Sequence, residues 1–168
     1  MSSVSIIRTS PKTVLDDYGA LMHSAGYEHS IPRDKKTVLK INLSWSLFYP
    51  ACSTPPWQLD GVLGTLRGDG YREIVCVENQ TVVTHPWKGA YNNKWLPVLD
   101  RHGVEYQPLT DVPWVPFSPK AEMLAMYDLF GEILIPEPFL DSNVIHLPTV
   151  KTHGHTTTTG AIKNAFGG

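Results

Sequence analysis

The sequence predicts an α/β domain with a mainly parallel sheet and flanking helices. Segments with strand character alternate with segments of helical periodicity along most of the 168 residues. The run EIVCVEN (73–79) is apolar on both faces, as expected for a central parallel strand covered on both sides. A composition of 42% hydrophobic and 18% charged residues suits one globular unit. We therefore expect residues 1–168 to form a single three-layer domain of the Rossmann-like type.

Five segments have the β-branched and aliphatic content of strands. They are 3–9 (SVSIIRT), 36–45 (KTVLKINLSW), 73–79, 104–109 (VEYQPL) and 144–150 (VIHLPTV). Residues 123–136 (MLAMYDLFGEILIP) have two further apolar runs around a turn at 128–131, which predicts a small β-hairpin insertion near 120–136. The polar segment 80–93 and the proline-rich segment 110–119 are predicted to be irregular.

Helices are predicted where apolar residues recur at helical spacing. The first begins after Ser10 and Pro11, a capping hydroxyl followed by proline, and ends at Gly26. The second presents one apolar face and ends at residues 68–70. That face consists of Leu59, Val62, Leu63 and Leu66. A short helix is expected near 93–102, limited in length by Pro97 unless that residue falls in the first turn, and another opens in GAIKNAFGG (160–168).

Charge and composition exclude several classes of protein. The net charge of -2 gives no support for nucleic-acid binding or for attraction to an anionic membrane. No apolar run approaches the roughly 20 residues of a membrane span, and the N-terminus lacks the features of a signal peptide. We expect a cytoplasmic protein. The two cysteines are too few to hold an iron–sulfur cluster, and Cys76 is predicted to be buried while Cys52 lies in a loop.

Polar and ionisable residues gather where the predicted strands end. In an open parallel sheet, ligands bind outside the carboxyl ends of the strands. These ends carry Lys40, Asn42, Ser44, Trp45, Glu78, Asn79, Thr110, Asp111, Lys151, His153 and His155. Lys40 and Asn42 share one face of a strand, so Lys40 either serves a site or extends along an edge strand to water. Glu78 and Asn79 either bind a ligand or form a turn. Trp45 and Trp87 follow strand ends, so they either wall a pocket or anchor the core or a loop.

The segment THGHTTTTGAIKN (152–164) is interpreted first as an anion site. Thr159 would cap the following helix, and Gly160 would let a ligand approach the backbone. Hydroxyls of Thr156, Thr157 and Thr158 would donate hydrogen bonds, and Lys151 or Lys163 would supply positive charge. The alternative is a capped helix start with a solvated threonine loop.

The same segment is also a candidate metal site. His153 and His155 would point the same way in an extended chain, and Glu78 or Asp111 would complete a ligand set for a divalent ion. An acid–base role for one of the histidines is the third interpretation.

Three segments carry a resemblance to a known family. VLKINLSW (38–45), EIVCVEN and NVIHLPTVKTHGHTTTTGAIKNAFGG (143–168) together resemble the domain of unknown function 362 family. The Lys-Thr-His followed by Gly-Ala-Ile-Lys-Asn is the specific part of this pattern. The resemblance implies functional positions at Lys40, Asn42, Lys151, His153, Lys163 and Asn164. It also implies a redox setting, since such proteins often carry ferredoxin-type cysteines in the same chain or nearby.

The chain departs from that family in three respects. It lacks ferredoxin-type cysteines, so an iron–sulfur cluster would have to come from a partner or a missing segment. Ile41 stands where the family usually has proline. The chain also ends where members of the family normally continue, so we expect a C-terminally incomplete domain. The predicted function is an enzyme domain that binds a small anion through Lys40 and Lys151, with His153 as acid–base group. The alternative is a non-catalytic metal-binding or redox-partner module.

Overall fold

A computed structural model describes residues 3–121 and 124–166. Four parallel strands form the main sheet in the order β3-β2-β1-β6, and two small antiparallel pairs, β4-β5 and β7-β8, accompany it. The main strands are β1 (Thr37–Lys40), β2 (Ile74–Glu78), β3 (Glu105–Pro108) and β6 (Asn143–His146). The short strands are β4 (Trp114–Pro116), β5 (Leu134–Pro136), β7 (Lys151–His153) and β8 (Thr157–Thr159). The α/β fold class predicted from the sequence is confirmed.

Helices cover the sheet and connect its strands. They are α1 (Val14–Ser24), α2 (Pro56–Gly68), α3 (Pro86–Asn92), α4 (Trp95–Arg101), α5 (Leu124–Phe130) and α6 (Ala161–Phe166). Short 3-10 turns lie at Tyr27–His29 and Glu137–Phe139. The apolar face predicted for α2 is buried, and α2 packs against both α1 and α4. No helix in the described ranges is long and apolar enough to cross a bilayer.

Alternate residues of the central strands pack into two separate apolar cores, one on each face of the sheet. Leu39 and Cys76 join the large cluster under α2 and α4, whereas Val38, Val75 and Val77 join a smaller cluster with Leu109. All five residues of β2 are buried, because successive side chains of a strand point to opposite faces and both faces are covered. This arrangement makes the domain three-layered.

The predicted strand at 3–9 is absent. These residues form no ladder, and Val4 and Ile6 are 84% and 92% exposed. An alternating apolar pattern becomes a strand only where another strand offers hydrogen-bonding partners, and none is placed here. The following helix begins at Val14 rather than directly after Pro11, although the Ser10 carbonyl accepts the Val14 N–H at 3.0 Å.

The hairpin predicted near 120–136 is partly wrong. Its first arm is the helix α5, apart from residues 122 and 123, which lie outside the described ranges. The second arm, β5, pairs antiparallel with β4, which lies in the proline-rich segment predicted to be irregular. The polar segment 80–93 likewise contains a helix, α3, whose first residue Pro86 follows a capping histidine: His85 Nδ1 accepts from the Lys88 N–H at 3.4 Å.

The histidine- and threonine-rich segment is a β-hairpin rather than a loop. Strand β7 pairs with β8, with Lys151 opposite Thr159 and His153 opposite Thr157. Thr157 adopts a left-handed backbone conformation, with φ of 63°. Helix α6 follows this hairpin and contacts both β6 and β8, so the hairpin stands at the carboxyl end of β6.

Candidate functional site

A buried ion pair occupies the carboxyl end of the two central strands. Lys40 Nζ lies 2.6 Å from Glu78 Oε1, and the two side chains are 2% and 6% exposed. Glu78 also accepts the backbone N–H groups of Leu43 and Asn79, each at 2.8 Å. Burial raises the pKa of Glu78, and the adjacent Lys40 opposes that rise. Lys40 and Glu78 therefore neutralise each other inside the domain, and Lys40 is not free to bind an anion in the way that the sequence predicted.

Asn42 links the end of β1 to the hairpin. Its Oδ1 accepts a hydrogen bond from Lys151 Nζ at 2.7 Å. The backbone of Asn42 is fixed on both sides by Thr54, since Thr54 Oγ1 accepts the Asn42 N–H at 2.8 Å and the Thr54 N–H donates to the Asn42 carbonyl at 2.9 Å. Thr54 Oγ1 in turn donates to the Leu147 carbonyl at 2.6 Å. The tertiary structure thus brings together residues more than 100 positions apart.

Lys151 is a half-buried cation without a carboxylate partner among residues 3–121 and 124–166. Its ammonium contacts two neutral oxygens, Asn42 Oδ1 and the Thr149 carbonyl at 3.5 Å. Burial lowers the pKa of Lys151; Cys52 opposes this effect and the charge of Lys163 adds to it. The more distant charge of Glu78 also opposes it, but no carboxylate of the described residues forms an ion pair with the Lys151 ammonium.

The hairpin holds His153 in one orientation. His153 Nδ1 accepts the backbone N–H groups of His155 at 3.1 Å and Thr156 at 3.3 Å. A neutral imidazole has one acceptor nitrogen, so these bonds place the proton on Nε2. Partial desolvation lowers the pKa of His153, and Lys163, His155 and Lys151 lower it further. In its neutral form this histidine is therefore a donor through Nε2–H.

The threonines of the hairpin divide into two groups. Thr159 Oγ1 donates to the Thr149 carbonyl at 2.8 Å, so its hydroxyl fastens β8 rather than capping α6. Thr156 Oγ1 donates to the Thr158 carbonyl at 2.9 Å. The hydroxyls of Thr157 and Thr158 are exposed and make no hydrogen bond within the described part of the chain. Gly160 precedes α6, and a β-carbon added there would meet no atom within 4 Å apart from its chain neighbours.

Asn164 anchors α6 to the same strand ends. Its Nδ2 donates to the Lys40 carbonyl at 3.1 Å and lies 3.3 Å from His146 Nδ1. Burial, and then the charge of Lys40, lower the pKa of His146. Reasoning from the sequence missed His146 as a member of this cluster. His146 lies two residues after Val144, so both side chains point to the same face of β6, and His146 is the register partner of Lys40. Lys163, beside Asn164, is exposed.

Three further residues predicted from the sequence make local contacts near the strand ends. Ser44 Oγ is 3.5 Å from Asn42 Oδ1, and Asn79 Oδ1 accepts the Gln80 N–H at 2.9 Å in a local turn. Asp111 accepts from Trp87 Nε1 at 3.0 Å, next to the edge strand β3.

The remaining side chains named from the sequence contribute little to the cluster. Trp45 is half exposed, and Trp87 packs edge-on against Tyr106. Cys76 is buried, as predicted, whereas Cys52 is half-buried and lies close enough to Lys151 to affect its pKa.

The profile of DUF362, a domain of unknown function, matches residues 37–168, which is well over half of the chain. The chain belongs to the DUF362 family. No curated protein and no solved structure matches it. The match begins at β1, so it includes every residue of the cluster around Asn42 and leaves out α1. The family assignment of this DUF362 domain therefore covers the candidate site but assigns no activity to it.

Proposed function

We propose that this DUF362 domain binds a small anionic ligand, a carboxylate or phosphate, at the carboxyl edge of its parallel sheet. The observation that carries the proposal is the Lys151 ammonium, which is half-buried and held by neutral oxygens. A cation that is partly removed from water gains most from an anion that can reach it. Glu78, a carboxylate in the same region, is already satisfied by Lys40 and two backbone N–H groups.

Further polar groups around Lys151 support an anion. Lys163 and His153 lie near enough for charge interactions with it or with each other. Thr149 Oγ1 is buried and has no hydrogen-bond partner within the described residues, and the carbonyl of the same residue contacts Lys151. Buried hydroxyls normally have partners, so a ligand or water bonded there would explain the arrangement.

His153 would act on the bound molecule through its Nε2–H group. Its Nε2–H is the free donor of a ring whose orientation is fixed through Nδ1. A neutral imidazole does not readily give up its remaining proton, so proton transfer would need the imidazolium form. In the enzymatic version of the proposal, which we prefer, Nε2–H therefore stabilises negative charge that develops on the ligand by donating a hydrogen bond. Lys40 would then support the site indirectly by holding Glu78, and Asn42 would position Lys151.

The test is thermal unfolding with inorganic phosphate and with acetate, for the wild type, Lys151→Gln and Lys35→Gln. Lys35 is an exposed lysine that precedes β1 at the opposite edge and serves as the control. The proposal expects a ligand-dependent rise in Tm for the wild type and the control, and none for Lys151→Gln. An unchanged Tm in an intact wild type, or equal shifts in all three proteins, would contradict it.

A redox-partner module is the second candidate. Four neighbouring apolar side chains, Trp45, Leu47, Phe48 and Tyr49, are each about half exposed next to the same edge, and solvated aromatic side chains favour protein contacts. Co-purification with a cysteine-rich iron–sulfur protein that is lost in Phe48→Ser would support it. A monomer under the same conditions would count against it.

A metal on His153 and His155 is less favoured by the geometry. Neither histidine belongs to a group of three potential ligands in the described ranges, and His153 Nδ1 already accepts two N–H groups. Elemental analysis of protein purified without oxygen or chelator decides the matter. The anion proposal expects the same metal content in the wild type and in His153→Ala/His155→Ala, whereas a loss of metal in the variant would favour the metal module.

A further inference from the structure

Three metal-ligating side chains converge at the opposite end of the domain from Lys151. His23 lies in the last turn of α1, Glu28 in the 3-10 turn that follows, and Asp69 at the C-terminus of α2. One ligand atom from each lies within 4.8 Å of those of the other two. No other group of three potential ligands is found in residues 3–121 and 124–166.

The backbone explains why these residues meet. Gly26 takes a left-handed conformation with φ of 68°, which ends α1 and turns the chain back over its last turn. Helices α1 and α2 pack along their length, so the end of α2 lies beside that turn. Glu28 precedes β1 and Asp69 precedes β2, which places the group at the amino edge of the sheet.

The contact between His23 and Asp69 resembles that of two metal ligands without their ion. His23 Nε2 lies 2.7 Å from Asp69 Oδ2, and the Tyr27 hydroxyl donates to the same oxygen. Zinc–ligand distances of about 2.0–2.2 Å separate two tetrahedral ligand atoms by about 3.3 Å. An ion that replaces the proton between His23 and Asp69 therefore needs these two atoms to separate by less than about 1 Å, while the Glu28 oxygen, within 4.8 Å of both, would move inward. The exposed fractions of His23, Glu28 and Asp69, 48%, 38% and 22%, leave room for it.

We infer that His23, Glu28 and Asp69 form a binding site for a first-row divalent cation such as zinc. One imidazole with two carboxylates suits zinc, manganese or iron better than calcium or magnesium, which prefer oxygen ligands throughout. Three protein ligands leave a coordination position open to water, as in reactive zinc sites. The Tyr27 hydroxyl orients the Asp69 carboxylate by donating a hydrogen bond to it, as hydrogen-bond donors commonly do beside metal ligands.

The positive charge of Arg33 should weaken the binding of a cation to this group, which a variant of Arg33 can test. Its Nη2 lies 2.6 Å from Glu28 Oε1, so the guanidinium competes for one of the two carboxylates. Removing this positive charge releases Glu28 and reduces repulsion of the ion. Arg33→Gln should therefore tighten metal binding.

The experiment is a calorimetric zinc titration of metal-free protein that carries His153→Ala and His155→Ala, so that the hairpin cannot contribute. We expect stoichiometric binding, a loss of about tenfold or more in affinity in His23→Ala and Glu28→Gln, and tighter binding in Arg33→Gln. His29→Ala is the matched control, because His29 is an exposed histidine of the same turn outside the ligand group.

Circular dichroism and thermal unfolding establish that each variant is folded before it is titrated. The absence of stoichiometric binding would overturn the inference, as would equal losses in His23→Ala and His29→Ala. Because the group lies at the amino edge, these outcomes are independent of anion binding at Lys151.

Discussion

Lys40 Nζ and Glu78 Oε1 lie 2.6 Å apart at the buried carboxyl end of the central strands. Removing one member leaves the other charged and without its partner in a desolvated site. Lys40→Met is therefore expected to lower the free energy of unfolding by about 3–5 kcal/mol. Glu78→Gln should also destabilise, but Lys40→Met/Glu78→Gln should lose less than the sum of the two, by a coupling of about 1–3 kcal/mol. Urea unfolding measures the cycle, and additive penalties would contradict the coupling.

Asn42→Asp should convert the neutral partner of Lys151 into an internal counterion. The substitution nearly preserves shape, and the backbone bonds of Asn42 with Thr54 are unaffected. The Asn42 oxygen lies 2.7 Å from Lys151 Nζ in the wild type. A carboxylate at this position would pair with the Lys151 ammonium and so compete with the proposed anion. Phosphate should then raise Tm less in Asn42→Asp than in the wild type, and an undiminished shift would place the anion elsewhere.

Stability should fall as the pH is lowered through the range in which an unfolded histidine titrates. Burial depresses the pKa of His146 in the folded state, so the unfolded chain binds more protons below about pH 6.5. The contribution is complete above that pH and is lost as the pH falls towards the folded-state pKa. His153 is shifted in the same direction.

The measurement is the free energy of unfolding between about pH 5 and 7.5. His146→Asn cannot titrate there and should flatten part of the slope, whereas His29→Asn, at an exposed position, should keep it. An unchanged slope in His146→Asn would show that this histidine does not contribute.

Two helical glycines should respond to alanine in opposite directions. A β-carbon at Gly89 of α3 would lie 2.5 Å from Leu43 Cδ2, whereas at Gly64 of α2 the nearest atom is His102 Cε1 at 3.9 Å. Gly89→Ala should therefore cost about 1–3 kcal/mol by overpacking. Gly64→Ala should stabilise by about 0.5–1 kcal/mol, because alanine is the better helix former. Thermal unfolding of both variants checks the pair, and a neutral Gly89→Ala would mean that Leu43 moves aside easily.

Local sequence patterns were sufficient for the strongest elements. The apolar run at 73–79 predicted β2 because a strand covered on both faces has no polar face, and the period of Leu59, Val62, Leu63 and Leu66 predicted the buried face of α2. The family pattern in the last 26 residues also lies within the matched profile. Each of these signals depends on neighbours in the chain, so the sequence contains it directly.

The tertiary structure decided the rest. An alternating segment at 3–9 stays unpaired and the apolar run from 124 to 130 is helical, because strand formation depends on a partner that local pattern does not specify. The sequence by itself determined which polar side chains stand at strand ends. Only the fold determined that Lys40 is neutralised by Glu78 while Lys151 meets the neutral Asn42, since charge compensation depends on distances between residues far apart in the chain.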